Sequence, residues 1–126
     1  MYGVNDEGVL KMGYDWQAVL ADGVRAQKKI SEHQLASLQA YVALLASWNK
    51  VHNLTGFDGQ EEMVKQLVLP SIALSSALGA FSCVLDLGTG AGVPGMVLAM
   101  VHPGQRWVLV EKSTKKALFL RHAVQR

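Results

Sequence analysis

VLDLGTGAGVPGMVLAM, from Val84 to Met100, is the stretch that decides the fold. The apolar run Phe81–Leu87 ends in glycines, which predicts a short strand buried on both faces. The run Val93–His102 predicts a helix, with Pro94 near its first turn, where proline is tolerated. Glycine at every second position between them lets a ligand approach the backbone, because larger side chains would block it. The stretch therefore predicts a strand, a ligand-binding loop and a helix.

A second strand and a second helix follow this unit. After a turn at Pro103-Gly104, the sequence RWVLVE predicts a strand over Arg106–Glu111. Ser113 is suited to cap a helix that runs through Val124. The order strand–helix–strand–helix predicts parallel strands joined by a right-handed crossover.

Helical patterns fill the chain before this unit. Apolar residues at helical spacing predict a helix over Asp15–Lys29, and Ser31–Gln34 has the S-x-x-Q form of a capping box. The helix that begins there is expected to end within Asn49–Asn53. A third helix is expected to begin at Asp58–Glu61 and to be broken or kinked at Pro70. We expect an α/β protein with two regions, a helical region over 1–80 and a Rossmann-like region over 81–126.

The uncharged stretch Leu67–Leu85 is long enough to span a membrane. Pro70, Gly79 and four serines interrupt it, so short buried elements explain it better. The N-terminus shows neither the basic segment nor the apolar segment of a signal peptide. Cys83 lies in an apolar run and is expected to be a buried, reduced thiol, which indicates a cytoplasmic protein.

Two classes of cofactor fit the glycine-rich loop. Gly90–Gly95 matches the dinucleotide pattern G-x-G-x-x-G, and Glu111 follows at about 20 residues, where a ribose-binding acid belongs. Asp86–Gly92 instead matches D-x-G-x-G-x-G, which is typical of proteins that bind S-adenosylmethionine (SAM). An acid after the first strand suits the ammonium group of SAM, and helix-start amides suit its carboxylate. Because Asp86 would repel a pyrophosphate, SAM is favoured.

Three segments resemble the bacterial small-subunit ribosomal RNA guanine-N7 methyltransferases, also called the glucose-inhibited division protein B family. Leu44–Thr55 is similar to the family's W-N-x-x-x-N-L-T segment, and Asp86–Gly95 is similar to its D-x-G-T-G-x-G-x-P-G loop. Glu111–Arg121 resembles its second-strand acid followed by basic residues and F-L-R. The sequence departs from the family's R-H-x-x-D-S pattern at Gln66–Ser71, where only the serine matches.

The resemblance implies a helical N-terminal region followed by the start of a class I SAM-dependent methyltransferase fold. It implies methyl transfer from SAM to N7 of a guanine in 16S rRNA, within the 30S subunit, by a protein longer than this chain. We therefore expect the 126-residue chain to be inactive alone and to self-associate. An NAD-dependent oxidoreductase, and a non-catalytic binding module that keeps the fold, are the remaining alternatives. The residues expected to surround SAM are Asp86, Gly88, Thr89, Gly90, Gly92, Val93 and Glu111.

Positive charge is concentrated near the end of the chain. Residues 106–126 hold six of the twelve Lys and Arg residues and only one acid. They would attract a polyanion, although such a run is also typical of a solvated helix face. The residues expected to contact rRNA are Lys112, Lys115, Lys116 and Arg121.

The remaining polar residues indicate no further catalytic group. Trp48, Asn49 and Asn53 could contact RNA, but packing and turn closure are the more common roles of such residues. The histidines lack metal-ligand spacing, so no metal is assigned. N7 of guanine already carries a free lone pair, so positioning is the main requirement and no catalytic acid or base is named.

Overall fold

The computed structural model describes residues 2–4, 10–12 and 15–125, with six α-helices and four strands among them. The strands are β1 (Tyr2–Val4), β2 (Leu10–Met12), β3 (Cys83–Leu87) and β4 (Arg106–Val110). The helices are α1 (Trp16–Gln27), α2 (Glu32–His52), α3 (Gln60–Met63), α4 (Leu69–Ala73), α5 (Gly95–Val101) and α6 (Thr114–Val124). The antiparallel pair β1–β2 was not expected from the sequence.

The first two helices begin where their capping residues predict. The Asp15 carboxylate accepts from the backbone amides of Gln17 and Ala18 at the start of α1. At α2 the Ser31 hydroxyl accepts from the amide of Gln34, whose side chain accepts from the Ser31 amide. This reciprocal pair confirms the predicted capping box. The core face of α2 is formed by Leu35, Leu38, Tyr41, Val42, Leu45 and Ala46.

The segment after α2 is less regular than the sequence predicts. Helix α3 begins at Gln60, within the predicted Asp58–Glu61, after Gly59, whose φ is 80°, but no side chain caps it. A π-helical turn, Val64–Val68, separates α3 from α4, and a 3₁₀ turn, Leu74–Ala77, follows α4. Pro70 lies in the first turn of α4, where its missing N–H is tolerated.

Strands β3 and β4 form a parallel pair, as predicted, with Asp86 opposite Leu109 and Leu87 opposite Val110. Side chains alternate between the two faces of a sheet. Asp86 and Leu109 point towards α5, which packs on that face. The opposite face is open, because Leu85 and Leu87 are 57% and 71% exposed.

The open face overturns two sequence expectations. The strand Phe81–Leu87 was expected to be buried on both faces, yet its side chains alternate between exposed and half-buried. Cys83 was expected to be buried, and it is exposed on the same open face as Leu85. The apolar run did not distinguish a covered strand from one whose second face has no partner within the described residues.

One hydrophobic core joins the helices to the sheet. It includes Leu20 of α1, Leu38 of α2, Val97 of α5 and Phe119 of α6, all of them fully buried. Each such side chain contributes about 1.5–3 kcal/mol through its burial. The division of the chain at about residue 80 stays a prediction, because this core extends across it.

Within the described ranges, no helix combines the length and apolar character that a membrane crossing requires. The uncharged stretch Leu67–Leu85 divides into the end of the π-helical turn, α4, the 3₁₀ turn and the first part of β3.

Candidate functional site

The glycine loop connects β3 to α5 and lies at the carboxyl end of both parallel strands. The amides of Gly88 and Thr89 both donate to the Val110 carbonyl, at 2.8 and 3.1 Å. These bonds continue the pairing of β3 with β4 into the loop. The loop is therefore fixed at the sheet edge where ligands bind in open α/β folds.

The four glycines of the loop divide into two structural classes. Gly88 and Gly90 have φ values of 69° and 63°, and a Cβ added at either would meet nothing within 4 Å. A Cβ at Gly92 would meet Met96 at 2.7 Å, and one at Gly95 would meet Asp86 and Leu109. Gly88 and Gly90 thus leave room for a ligand, whereas Gly92 and Gly95 allow close packing.

Asp86 anchors the loop from the end of β3. Its Oδ2 accepts from the Thr89 hydroxyl at 2.7 Å and from the Gly95 amide at 2.9 Å. Thr89 is only 2% exposed, so it supports the loop from inside rather than presenting its hydroxyl to a ligand. The sequence suggested that amides at the helix start would bind a cofactor carboxylate. Two of these amides are already used, because that of Gly95 donates to Asp86 and that of Met96 donates to the Gly92 carbonyl.

Glu111 closes the loop from the end of β4. One carboxylate oxygen accepts from the Gly90 amide and the other from the Ser113 amide, each at 2.8 Å. The amides of Ser113 and Gly90, and then the positive charge of Lys116, hold the pKa of Glu111 below its usual value. Glu111 is therefore an ionised acceptor beside Gly90, and its carboxylate, which has about four acceptor sites, keeps capacity for a further donor.

Tyr41 is a supporting residue that the sequence did not reveal. Its hydroxyl donates to the Ala91 carbonyl in the loop at 2.7 Å, and its side chain is only 2% exposed. The two residues are fifty positions apart, so no local pattern could indicate their contact.

Val93, also expected at the cofactor, is half-buried in the loop and is joined to Pro94 by a cis peptide bond.

The basic residues expected to contact rRNA do not form one surface. Lys115 donates to the His52 carbonyl at 3.3 Å, which brings the start of α6 to the end of α2. Lys116 lines a cleft at that junction, and Lys112 is exposed just before α6. Arg121 instead lines a second cavity, of about 1180 Å³, between α2, α5 and β4. The structure therefore separates Arg121 from the three lysines.

The W-N-x-x-x-N-L-T segment is mainly structural in its first half. The indole of Trp48 packs edge-on against Phe119, with ring centroids 5.6 Å apart. The Asn49 amide group donates to the Phe57 carbonyl at 2.9 Å and accepts from the Thr55 amide at 2.7 Å. Both observations support the structural roles that the sequence favoured.

The chain is similar to known proteins over most of its length. The profile of the family described as GidB, rRNA small subunit methyltransferase G, matches residues 34–126. The ribosomal RNA small subunit methyltransferase G of Dichelobacter nodosus (strain VCS1703A) is 42% identical over 96 residues, covering 76% of this chain and 46% of the relative.

Two further relatives carry the same name. The protein of Nitrosospira multiformis is 44% identical over 105 residues, covering 82% of this chain and 48% of its own. The protein of Burkholderia pseudomallei (strain 1106a) is 40% identical over 111 residues, which cover 85% of this chain and 48% of the relative. The chain thus spans about half the length of the curated relatives it matches.

Proposed function

The chain belongs to the rRNA small subunit methyltransferase G family, and from this premise we propose that it forms the SAM-binding part of an enzyme that methylates N7 of a guanine in 16S rRNA. The observation that carries the proposal is the open backbone at Gly88 and Gly90, between the acids Asp86 and Glu111. The substrate is the rRNA of the 30S subunit. The proposed compartment is the cytoplasm.

The geometry supports SAM in preference to a dinucleotide. A dinucleotide loop presents its second glycine and the free amides of the helix start to a pyrophosphate, whereas its third glycine serves close packing of the helix on the strand. Here the Gly95 amide donates to the Asp86 carboxylate, and Gly95 packs directly against Asp86. A pyrophosphate would meet a negative charge and an amide that is already bonded. SAM carries no phosphate and has a positively charged ammonium group that suits this acid.

Each polar residue of the site has a distinct role in this proposal. Glu111 accepts from the ribose hydroxyls through its remaining lone pairs, and Asp86 holds the loop and attracts the ammonium group of the cofactor. SAM supplies the methyl group, which N7 of guanine attacks with its own lone pair. The chain's residues therefore act by binding and orientation, which are the main requirements of such a transfer.

Calorimetric titration of SAM into the purified chain tests the site, with the variant Gly90→Val as the probe. Valine resists the positive φ of 63° and places a branched side chain where the ligand must lie. We expect Gly90→Val to abolish SAM binding while the circular dichroism of the helices stays unchanged. Gly104→Val is the matched control, because a Cβ there meets nothing within 4 Å and its φ is not left-handed.

Two outcomes would contradict the proposal. Heat from NAD without heat from SAM would restore the dinucleotide alternative. Equal SAM affinity in Gly90→Val and in the unmodified chain would show that the loop is not the cofactor site.

A further inference from the structure

The second half of the W-N-x-x-x-N-L-T segment forms a cleft with no assigned ligand. The cleft has a volume of about 850 Å³ and lies between the end of α2, the loop that follows it, and Lys116 of α6. Lys50 and Lys116 supply positive charge to it, and Asp58 supplies one negative charge. A nucleotide-sized ligand of negative charge therefore fits both its dimensions and its charge.

The polar groups of this cleft are available for a ligand. The ion pairs found within residues 15–125 join Arg25 to Glu32 and Lys65 to Glu61, so neither Lys50 nor Lys116 is paired there. The Asn53 side chain makes no hydrogen bond within the same part of the chain, although its neighbour in the motif, Asn49, makes two. The exposed Asn53 side chain is thus a free amide donor and acceptor at the cleft.

The cleft lies beside the cofactor site. The Lys116 amide donates to the Ser113 hydroxyl at 3.5 Å, and the Ser113 amide donates to Glu111 at 2.8 Å. Glu111 in turn accepts from the Gly90 amide of the loop. Lys116 therefore connects the cleft to the place where the methyl donor binds.

We propose that this cleft holds one unpaired nucleotide of the RNA strand, with its phosphate bound by Lys50 and Lys116 and its base edge bound by the Asn53 amide. The inference rests on the proposed function and specifies which surface receives the RNA. An unpaired nucleotide is favoured because its base edges are free for side-chain amides, whereas the deep major groove of an RNA duplex excludes them.

The test is fluorescence anisotropy of a labelled single-stranded RNA with the 126-residue chain at several salt concentrations. We expect Lys50→Ala with Lys116→Ala to weaken binding roughly tenfold and to reduce the salt slope by about one. Lys29→Ala is the matched control, because Lys29 is exposed and precedes the opposite end of the 21-residue helix α2, about 30 Å from Lys50. It removes one positive charge, as each of the single variants Lys50→Ala and Lys116→Ala does, and unlike them it should leave the affinity nearly unchanged.

Asn53→Gly separates base contact from phosphate contact. Asn53 has a left-handed φ of 49°, and glycine keeps that conformation while removing the amide group. We expect weaker RNA binding with an unchanged salt slope, and a smaller difference in affinity between oligonucleotides of different base. Unchanged SAM affinity in the same variant would show that the cofactor loop is intact.

The outcomes distinguish this inference from the proposed function. An equal loss in Lys29→Ala and in the double lysine variant, or no loss in either, would overturn the cleft as the RNA site. If the unmodified chain binds no SAM, the proposed function fails independently of the RNA result. If SAM binds and the cleft variants bind RNA like the unmodified chain, only the cleft inference fails.

Discussion

The hydroxyl of Tyr41 on α2 donates a 2.7 Å hydrogen bond to the backbone carbonyl of Ala91 in the glycine loop. Burial raises the pKa of Tyr41 well above its ordinary value, so the hydroxyl keeps its proton and remains a donor. The ring also packs against Phe119, with centroids 6.1 Å apart. The helical region thus fixes the conformation of a loop that belongs to the sheet.

Tyr41→Phe should destabilise the chain by about 1–2 kcal/mol, because it leaves the Ala91 carbonyl without its buried partner. The ring and its packing are retained, so the change isolates the hydrogen bond. Urea unfolding followed by circular dichroism measures the effect. An unchanged midpoint would show that the bond contributes nothing to the loop.

The buried Tyr41 hydroxyl should make the chain less stable at alkaline pH. A group whose pKa is raised by folding contributes its full stability at pH values below its pKa in the unfolded chain. This contribution is lost as the pH rises towards its pKa in the folded chain. For Tyr41 the loss should begin near pH 10, the ordinary value for tyrosine. The difference in free energy of unfolding between the unmodified chain and Tyr41→Phe should therefore shrink above that pH. A constant difference up to pH 11, the end of a practicable range, would contradict this origin.

Glu111→Gln should weaken SAM binding roughly tenfold at neutral pH. The carboxylate accepts from the amides of Gly90 and Ser113 at once, and glutamine must turn its own NH₂ group towards one of these donors. Calorimetry measures the affinity, and Glu32→Gln, at an exposed ion pair remote from the loop, is the control for lost charge. Equal affinities for the two variants would exclude Glu111 from the site.

The features that the sequence predicted well are local ones. The capping box at Ser31–Gln34, the helical spacing of α1, and the glycine pattern from Gly88 to Gly92 each depend on residues a few positions apart. The helical spacing of α6 was also a local signal that Arg121 lies apart from the lysines. At about 100° per residue, Arg121 lies about 240° around α6 from Lys115, so the two side chains point towards different neighbouring elements.

The features that the sequence missed depend on contacts between distant residues. The partnership of Tyr41 with Ala91 has no pattern in the chain, because α2 and the loop meet only in the folded structure. The exposure of Cys83 depends on what packs over β3, and an apolar run carries no information about that. The use of the Gly95 amide by Asp86 likewise depends on the turn that the loop takes.

The open sheet face predicts self-association of the 126-residue chain. Leu85, Leu87 and Val110 are 57%, 71% and 43% exposed on this face, and both strands present unpaired edges within the described residues. We expect sedimentation velocity to show dimers or larger species that Leu87→Lys reduces. Val51→Lys is the matched control, since Val51 is 75% exposed but lies on α2. A monomer at all concentrations would contradict the prediction.

We expect the 126-residue chain to bind SAM weakly and to transfer no measurable methyl groups. In an open α/β sheet the ligand lies across the carboxyl ends of several strands, whereas β3 and β4 are the only parallel strands within the described residues. Asp86, the loop and Glu111 can hold the methionine and ribose ends of SAM. They form no wall for the adenine, and a two-stranded sheet depends on its helices for stability.

The assay combines the purified chain, radiolabelled SAM and 30S particles that lack the modification, with the Nitrosospira multiformis relative as the positive control. Label incorporated at a rate near that of this relative would show that two strands suffice for the transfer.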